Sequence, residues 1–297
     1  MLGVDVGGTK VAAAAVEGGQ PRHAVEHPTV LDSSEALLDG IESTIREVTA
    51  AVGEPEAIGI GVPSQVEFAS GTVLASVNIP LAGVPLGEEL GSRFGVPVYV
   101  DNDASCAALA EADAIGAGEL VMLTLGTGVG GGIVTGGRIF RGAHGLGGEL
   151  GHVVVEADGP ECPGGGCPNR GCLEALCSGT ALERDTGRKG REVVEAARNG
   201  DADAQAHLDR LGRYLGIGIS SMVNVFQPEV VVIGGGLSAA ADLFLDTAVA
   251  EAGSRALPTL WARARVQVAQ AGNAAGVIGA GLLALQEHSR ARDTATT

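Results

Sequence analysis

Aromatic residues are scarce in this 297-residue chain: one Trp, two Tyr and five Phe, 3% of the total. Its core must therefore be built from Val, Ile, Leu and Ala within a hydrophobic content of 45%. Basic residues are also few. Nineteen Lys and Arg stand against 36 Asp and Glu, a formal net charge of −17, and such a surface repels nucleic acid and anionic membranes. A nucleotide is still admissible, because a few local donors and a divalent ion can hold one. No apolar run approaches the roughly 18 residues a membrane span needs. Met1-Leu2-Gly3 leads straight into a strand pattern, without a charged leader or cleavage site. Five cysteines, an odd number with three set close together, fit a reducing compartment better than a disulfide framework. The expectation is a soluble cytoplasmic enzyme with neither nucleic acid nor membrane as partner.

What the chain has in quantity is glycine, 48 residues clustered at Gly7-Gly8, 126–132, 164–166 and 234–236. Its length suits two lobes, since single cores tend to split near this size. The apolar run 2–6 ends in Asp5-Val6-Gly7-Gly8-Thr9-Lys10, and a second short run, 11–16, closes at Gly18-Gly19. This reads as a β-hairpin whose Gly-Gly tip leaves backbone N–H groups free for an anion. A P-loop differs, because its turn opens a helix. A second strand–turn–strand, Gly126-Thr127-Gly128-Val129-Gly130-Gly131 between apolar runs, follows 118 residues after the first when Thr9 is matched to Thr127. Two such hairpins could hold a chain of phosphates.

Between them, residues 33–51 carry apolar positions at helical spacing behind a Ser cap. The apolar run 57–62 ends at Pro63-Ser64, and 66–77 reads as a short strand pair. The run 96–100 delivers Asp101-Asn102-Asp103 ahead of an alanine-rich helix, 104–114. Strand, carboxylate, helix is the order that puts ligands at the carboxyl edge of an α/β sheet. Beyond the middle of the chain, 202–226 reads as a long helix and 230–233 as a buried strand opening at Gly234-Gly235-Gly236. Helices are expected over 240–252 and 274–286, and a disordered tail from 289 to 297.

The densest chemistry lies in 147–174. His152 is followed by Cys162, Cys167 and Cys172, each cysteine five positions after the last, with Pro and Gly between them. Cys and His ligands are what tetrahedral zinc takes, and a closed set of four marks a structural site. Glu149 and Glu174 flank the ligands. Cys177 continues the spacing, but on a helical turn it points about 140° away from Cys172, and it stays outside the set.

Together these residues resemble the ROK group of sugar kinases and repressors, within the actin-like (ribonuclease H-like) ATPase superfamily. The resemblance runs from Asp5-Val6-Gly7-Gly8-Thr9-Lys10 to the final helix. Its specific signatures are Gly148-Glu149-Leu150-Gly151-His152 and Cys167-Pro168-Asn169-Arg170-Gly171-Cys172-Leu173-Glu174. The resemblance implies an α/β fold of two lobes with a cleft between them. One lobe covers 1–115 and the other 116–297, and the final helix packs back on the first. It implies an ATP-dependent hexose kinase of the glucokinase type, working as a homodimer or homotetramer. Asp5, Gly7, Gly8, Thr9 and Lys10 would line the phosphate path with Mg²⁺, with Thr127 and Gly128 opposite, and Gly235 and Gly236 would lie against the adenosine. Asp103 would be the catalytic base. Asn78, Asn102, Asp103, Glu149, His152 and Glu174 would hold sugar hydroxyls, and His152, Cys162, Cys167 and Cys172 a structural Zn²⁺.

Two departures from the family pattern stand out. Cys162 and Cys167 are separated by four residues where one is common, and Ser64 follows Pro63 where glycine is common. Open alternatives are N-acetylmannosamine or mannose as substrate, and polyphosphate or ADP as donor. A repressor of the same group is disfavoured: only four residues precede Asp5, which leaves no helix-turn-helix module, and the charge is wrong for DNA.

Overall fold

The computed structural model describes residues 1–164 and 166–295. The chain forms two compact units. Unit 1 comprises Met1–Gly116, Gly137–Gly148 and the chain from Gln270 onward, and unit 2 comprises Ala117–Gly136 and Glu149–Ala269. No described helix is long and apolar enough to cross a membrane.

Unit 1 is built on a sheet in which the strands run in the order Gln20–Pro28, Lys10–Glu17, Leu2–Val6, Ile58–Val62, Val98–Asn102. The first three pair antiparallel and the last three parallel. Ile58–Val62 is buried along its whole length, as a parallel strand covered on both faces must be. The helix Ser34–Val52 starts where Ser33 Oγ accepts the Ala36 N–H at 3.1 Å, and it buries Leu37, Ile41, Ile45 and Val48. The final helix, Ala275–Ala295, lies on the same sheet. Its close approach explains Gly59: a Cβ there would overlap the carbonyl oxygen of Ala280.

Unit 2 repeats the plan. Its hairpin, Leu120–Leu125 with Val129–Thr135, is antiparallel, and Val230–Gly234 and then Arg265–Val268 extend it in parallel. The helices Gly179–Thr186, Gly190–Arg198 and Ala202–Phe226 complete much of its core.

Several expectations shift. Gln20–Pro28 went unread because it is a mostly exposed edge strand with a Pro at each end. The expected helix at 240–252 is instead a 3₁₀ stretch, Gly236–Leu243, and an α-helix, Leu245–Arg255, broken at the buried Phe244. The expected disordered tail is helical through Ala295, with Arg292 Nη1 3.5 Å from Glu56 Oε2; 296–297 lie outside the described residues. The strand read at 96–100 runs over Val98–Asn102, so Asp103 is the first residue of the helix Asp103–Ile115.

Candidate active site

The Asp101-Asn102-Asp103 corner shows how unit 1 positions its carboxylates. Asn102 is the N-cap: its Oδ1 accepts the N–H groups of Ala104 at 2.9 Å and Ser105 at 3.1 Å, and its Nδ2 donates to Ser64 O at 3.4 Å. Asp103 Oδ1 also accepts from Ala104 N, at 2.8 Å. Both side chains are thereby fixed at the carboxyl end of the sheet, half-buried. Ser64 is buried and shares a hydrogen bond with Ser76 at 2.9 Å, so here the departure from glycine serves the small strand pair.

Asp5 lies in the same unit, at the end of the first strand. Burial pushes its carboxyl up to about 6 from the ordinary 3.8; the charge of Asp103 adds to the rise and Lys10 opposes it. Lys10 itself is engaged, with Nζ 2.7 Å from Glu26 Oε2. In the turn, Gly7 N–H closes the hairpin on Lys10 O at 2.8 Å. That narrows the donors for an anion to Gly8 and the exposed Thr9. Asn78 is exposed, with its carbonyl oxygen 3.9 Å from where a Cβ on Gly8 would lie.

In unit 2 the second turn is held from behind. Gly179 N donates to Gly126 O at 2.8 Å, and Thr180 donates to Thr127 O through N at 3.1 Å and Oγ1 at 2.9 Å. With these carbonyls anchored, the exposed Thr127 and half-buried Gly128 form the free face of the turn. Gly235 and Gly236 are exposed at the end of their strand.

The four expected metal ligands come together: one ligand atom each from His152, Cys162, Cys167 and Cys172 lies within 4.8 Å of all the others. Thiolates about 2.3 Å from a tetrahedral zinc stand closer than this to one another, so a small contraction accommodates the ion. Cys162, despite its spacing, has Sγ 3.5 Å from His152 Nδ1. His152 Nε2 lies 4.0 Å from Glu149 Oε2, so the ring faces the cluster with one nitrogen and an exposed carboxylate with the other. Gly171 is indispensable to the loop: its φ is +58°, and a Cβ would overlap the Glu156 carbonyl. Cys177 is buried apart, its Sγ donating to Leu211 O.

Glu174 does more than flank the cluster. It is buried, its Oε2 accepts the Val129 N–H at 2.9 Å, and its Oε1 lies 3.6 Å from Cys162 Sγ. One carboxylate thus joins the cysteine cluster to the second Gly/Thr turn. Two further groups were not legible in the sequence. Glu111, fully buried on Asp103–Ile115, accepts the N–H groups of Gln270 and Ala271. Arg141 pairs with Asp101 at 2.7 Å. Each lies in a run that carries no motif.

The chain as a whole is similar to several known proteins. A model of the ROK family matches residues 1–287. A glucokinase of Halalkalibacterium halodurans is 35% identical over 97% of this chain and 96% of its own length. Among solved structures, a ROK hexokinase from Thermus thermophilus superposes with a TM-score of 0.88 at 35% identity, covering 98% of this chain and 99% of that one. A ROK glucokinase from Streptomyces griseus in complex with glucose and AMPPNP gives 0.80 at 33% identity, covering 96% and 99%.

Proposed function

The chain belongs to the ROK family, and from that premise we propose that it is a glucokinase, transferring a phosphoryl group from ATP to the 6-hydroxyl of glucose. The observation that carries the mechanism is the Asn102-Asp103 corner, whose Asp103 charge is felt by Asp5 beside the first Gly/Thr turn. A sugar hydroxyl is a poor nucleophile, so a carboxylate must take its proton as the phosphoryl group moves. Asp103 is that acceptor, held by the Ala104 N–H and by the cap that Asn102 makes. The turn donors at Gly8 and Thr9, and those at Thr127 and Gly128, receive the phosphates, and Gly235 and Gly236 the adenosine. The raised carboxyl of Asp5 is suited to a divalent cation, and Mg²⁺ held there would screen the phosphate charge. Asn78, Asn102, Glu149, His152 and Glu174 pair the sugar hydroxyls. A homodimer or homotetramer in the cytoplasm belongs to the same proposal, by family alone.

The test is ADP formation, followed with a coupled assay, on glucose, mannose, N-acetylmannosamine, N-acetylglucosamine and fructose. Glucose is expected to give the highest kcat/KM with ATP, and ADP or polyphosphate in place of ATP to give little turnover. Activity on fructose alone would overturn the reading.

His152, Cys162, Cys167 and Cys172 fit a structural zinc, whose four protein ligands leave no position for substrate. Chelation or Cys172→Ser is expected to bring zinc from one per chain to none and to raise the KM for glucose about tenfold. The KM for ATP is expected to rise less, through the bond from Val129 to Glu174. Zinc-free protein with both constants unchanged would refute the role given to this loop.

A further inference from the structure

Arg141 lies in unit 1 on the Gly137–Gly148 segment, largely buried at 16% side-chain exposure. Its Nε donates to Asp101 Oδ2 at 2.7 Å, and its Nη1 lies 3.3 Å from Glu287 Oε1 on the final helix. The guanidinium stacks on Phe68, 3.6 Å from the ring centroid. Arg141 O accepts the Gly147 N–H at 2.9 Å, closing the loop behind it. Asp101, 5% exposed, uses its other oxygen, Oδ1, to accept the Asn102 N–H at 2.8 Å. One guanidinium is thus connected, through a single carboxylate, to the backbone of the residue that caps the Asp103 helix.

We propose that Arg141 is a positioning residue for phosphoryl transfer, holding the Asp101-Asn102-Asp103 corner in place through Asp101 and bracing it against the final helix at Glu287. The proposal rests on the reading of Asp103 as proton acceptor and adds the group that keeps it aligned. The local charge balance supports it. Burial raises the Asp101 carboxyl, Arg141 opposes the rise by its charge and its hydrogen bond, and Glu287 adds to it. Burial and the charges of Asp101, Asp5 and Asp103 push the buried Cys106 thiol up, and the Arg141 charge opposes them. Remove the cation, and a buried carboxylate one residue from the helix cap is left without a counter-charge, held only by the Asn102 N–H. It must then either take up a proton or move toward water. The Asn102 N–H bonded to that carboxylate moves with it. Lysine cannot replace the arginine in full, because a single ammonium lacks the planar fork that reaches two carboxylates while stacking on a ring.

A buried ion pair can also be purely structural, and the experiment separates the two roles. Arg141→Lys, Asp101→Asn and the double variant are compared with wild type for kcat and for the KM of glucose and ATP. Each is assayed well below its own melting temperature and normalised to the folded fraction by circular dichroism. Arg141→Lys is expected to lower kcat about tenfold and Asp101→Asn about thirtyfold, with the KM for ATP within about twofold of wild type. The double variant is expected to lie near the weaker single variant instead of at the product of the two losses, because both act through one contact. A lowered melting temperature with wild-type kcat in Arg141→Lys would overturn the proposal, as would multiplicative losses in the double variant. A wild-type protein that forms no ADP with glucose would instead remove the kinase reading itself.

Discussion

Asp103→Asn is expected to lower kcat by about 10²–10⁴, the contribution of a positioned general base, while the fold stays intact. The substitution isolates the proton-accepting role. The amide oxygen of asparagine can still accept the Ala104 N–H that Asp103 Oδ1 accepts at 2.8 Å. The helix cap is untouched because it belongs to Asn102, which holds Ala104 and Ser105. Asparagine cannot take the proton of the 6-hydroxyl at neutral pH. Glucose and ATP are therefore expected to bind within a few-fold of wild type, as isothermal titration would read, while turnover collapses. A variant that keeps more than about a tenth of wild-type kcat lacks the rate loss a general base should show, and Asp103 would then not be the base.

Asp5→Asn is expected to stabilise the nucleotide-free protein at pH 7.5 and to disable it as a kinase. The Asp5 carboxyl titrates at about 6 in the folded chain against an ordinary 3.8, from burial first and the charge of Asp103 second, with Lys10 opposing. Between those two values the folded chain holds a proton that the unfolded chain has released, so stability falls as pH rises from about 4 to about 6. Above pH 6 the full cost is present. It is about 3 kcal/mol, at roughly 1.4 kcal/mol for each pH unit between the two values. A neutral asparagine avoids that cost, so urea unfolding is expected to show a gain of about 2–3 kcal/mol at pH 7.5 that vanishes near pH 3.5. The same substitution removes the carboxylate proposed to face the divalent ion, and kcat is expected to fall by about 10² or more. Mg²⁺ and ATP together should raise the melting temperature of wild type and not of the variant. An Asp5→Asn protein no more stable than wild type at pH 7.5 would show that burial does not strain this carboxyl.

Much of the α/β plan was legible in the chain. Short apolar runs bounded by Gly-Gly turns identify both hairpins, since six residues between turn signals are too few for a helix. The cysteine spacing with His152 identified the cluster, although four residues lie between Cys162 and Cys167 where the family commonly has one. That cluster was readable because three cysteines and a histidine lie within 21 residues of one another among proline and glycine, and the folded loop brings all four side chains together. The Asp101-Asn102-Asp103 corner was readable as the junction of a strand and a helix. Less was visible where one residue type serves many purposes. Gln20–Pro28 carries no strong alternation, because an edge strand with solvent on most of its length needs none.

Residue order alone therefore determined the two hairpin turns, the strand–Asp–helix corner and the grouping of His152 with Cys162, Cys167 and Cys172, because each depends on neighbours within about thirty positions of one another. Only the tertiary structure decided the partners of charges far apart in sequence. Arg141 meets Asp101 and Glu287 across 40 and 146 positions, Glu174 meets Val129 across 45, and Glu111 meets Gln270 across 159. Lys10, which the motif offers to phosphate, is claimed by Glu26 once the third strand pairs with the second. That last pair is exposed, but for the buried charges of Arg141, Glu174 and Glu111 one physical reason holds. A charge in a low-dielectric interior must be paired, and the folded chain, not the local spacing, determines which partner is within reach.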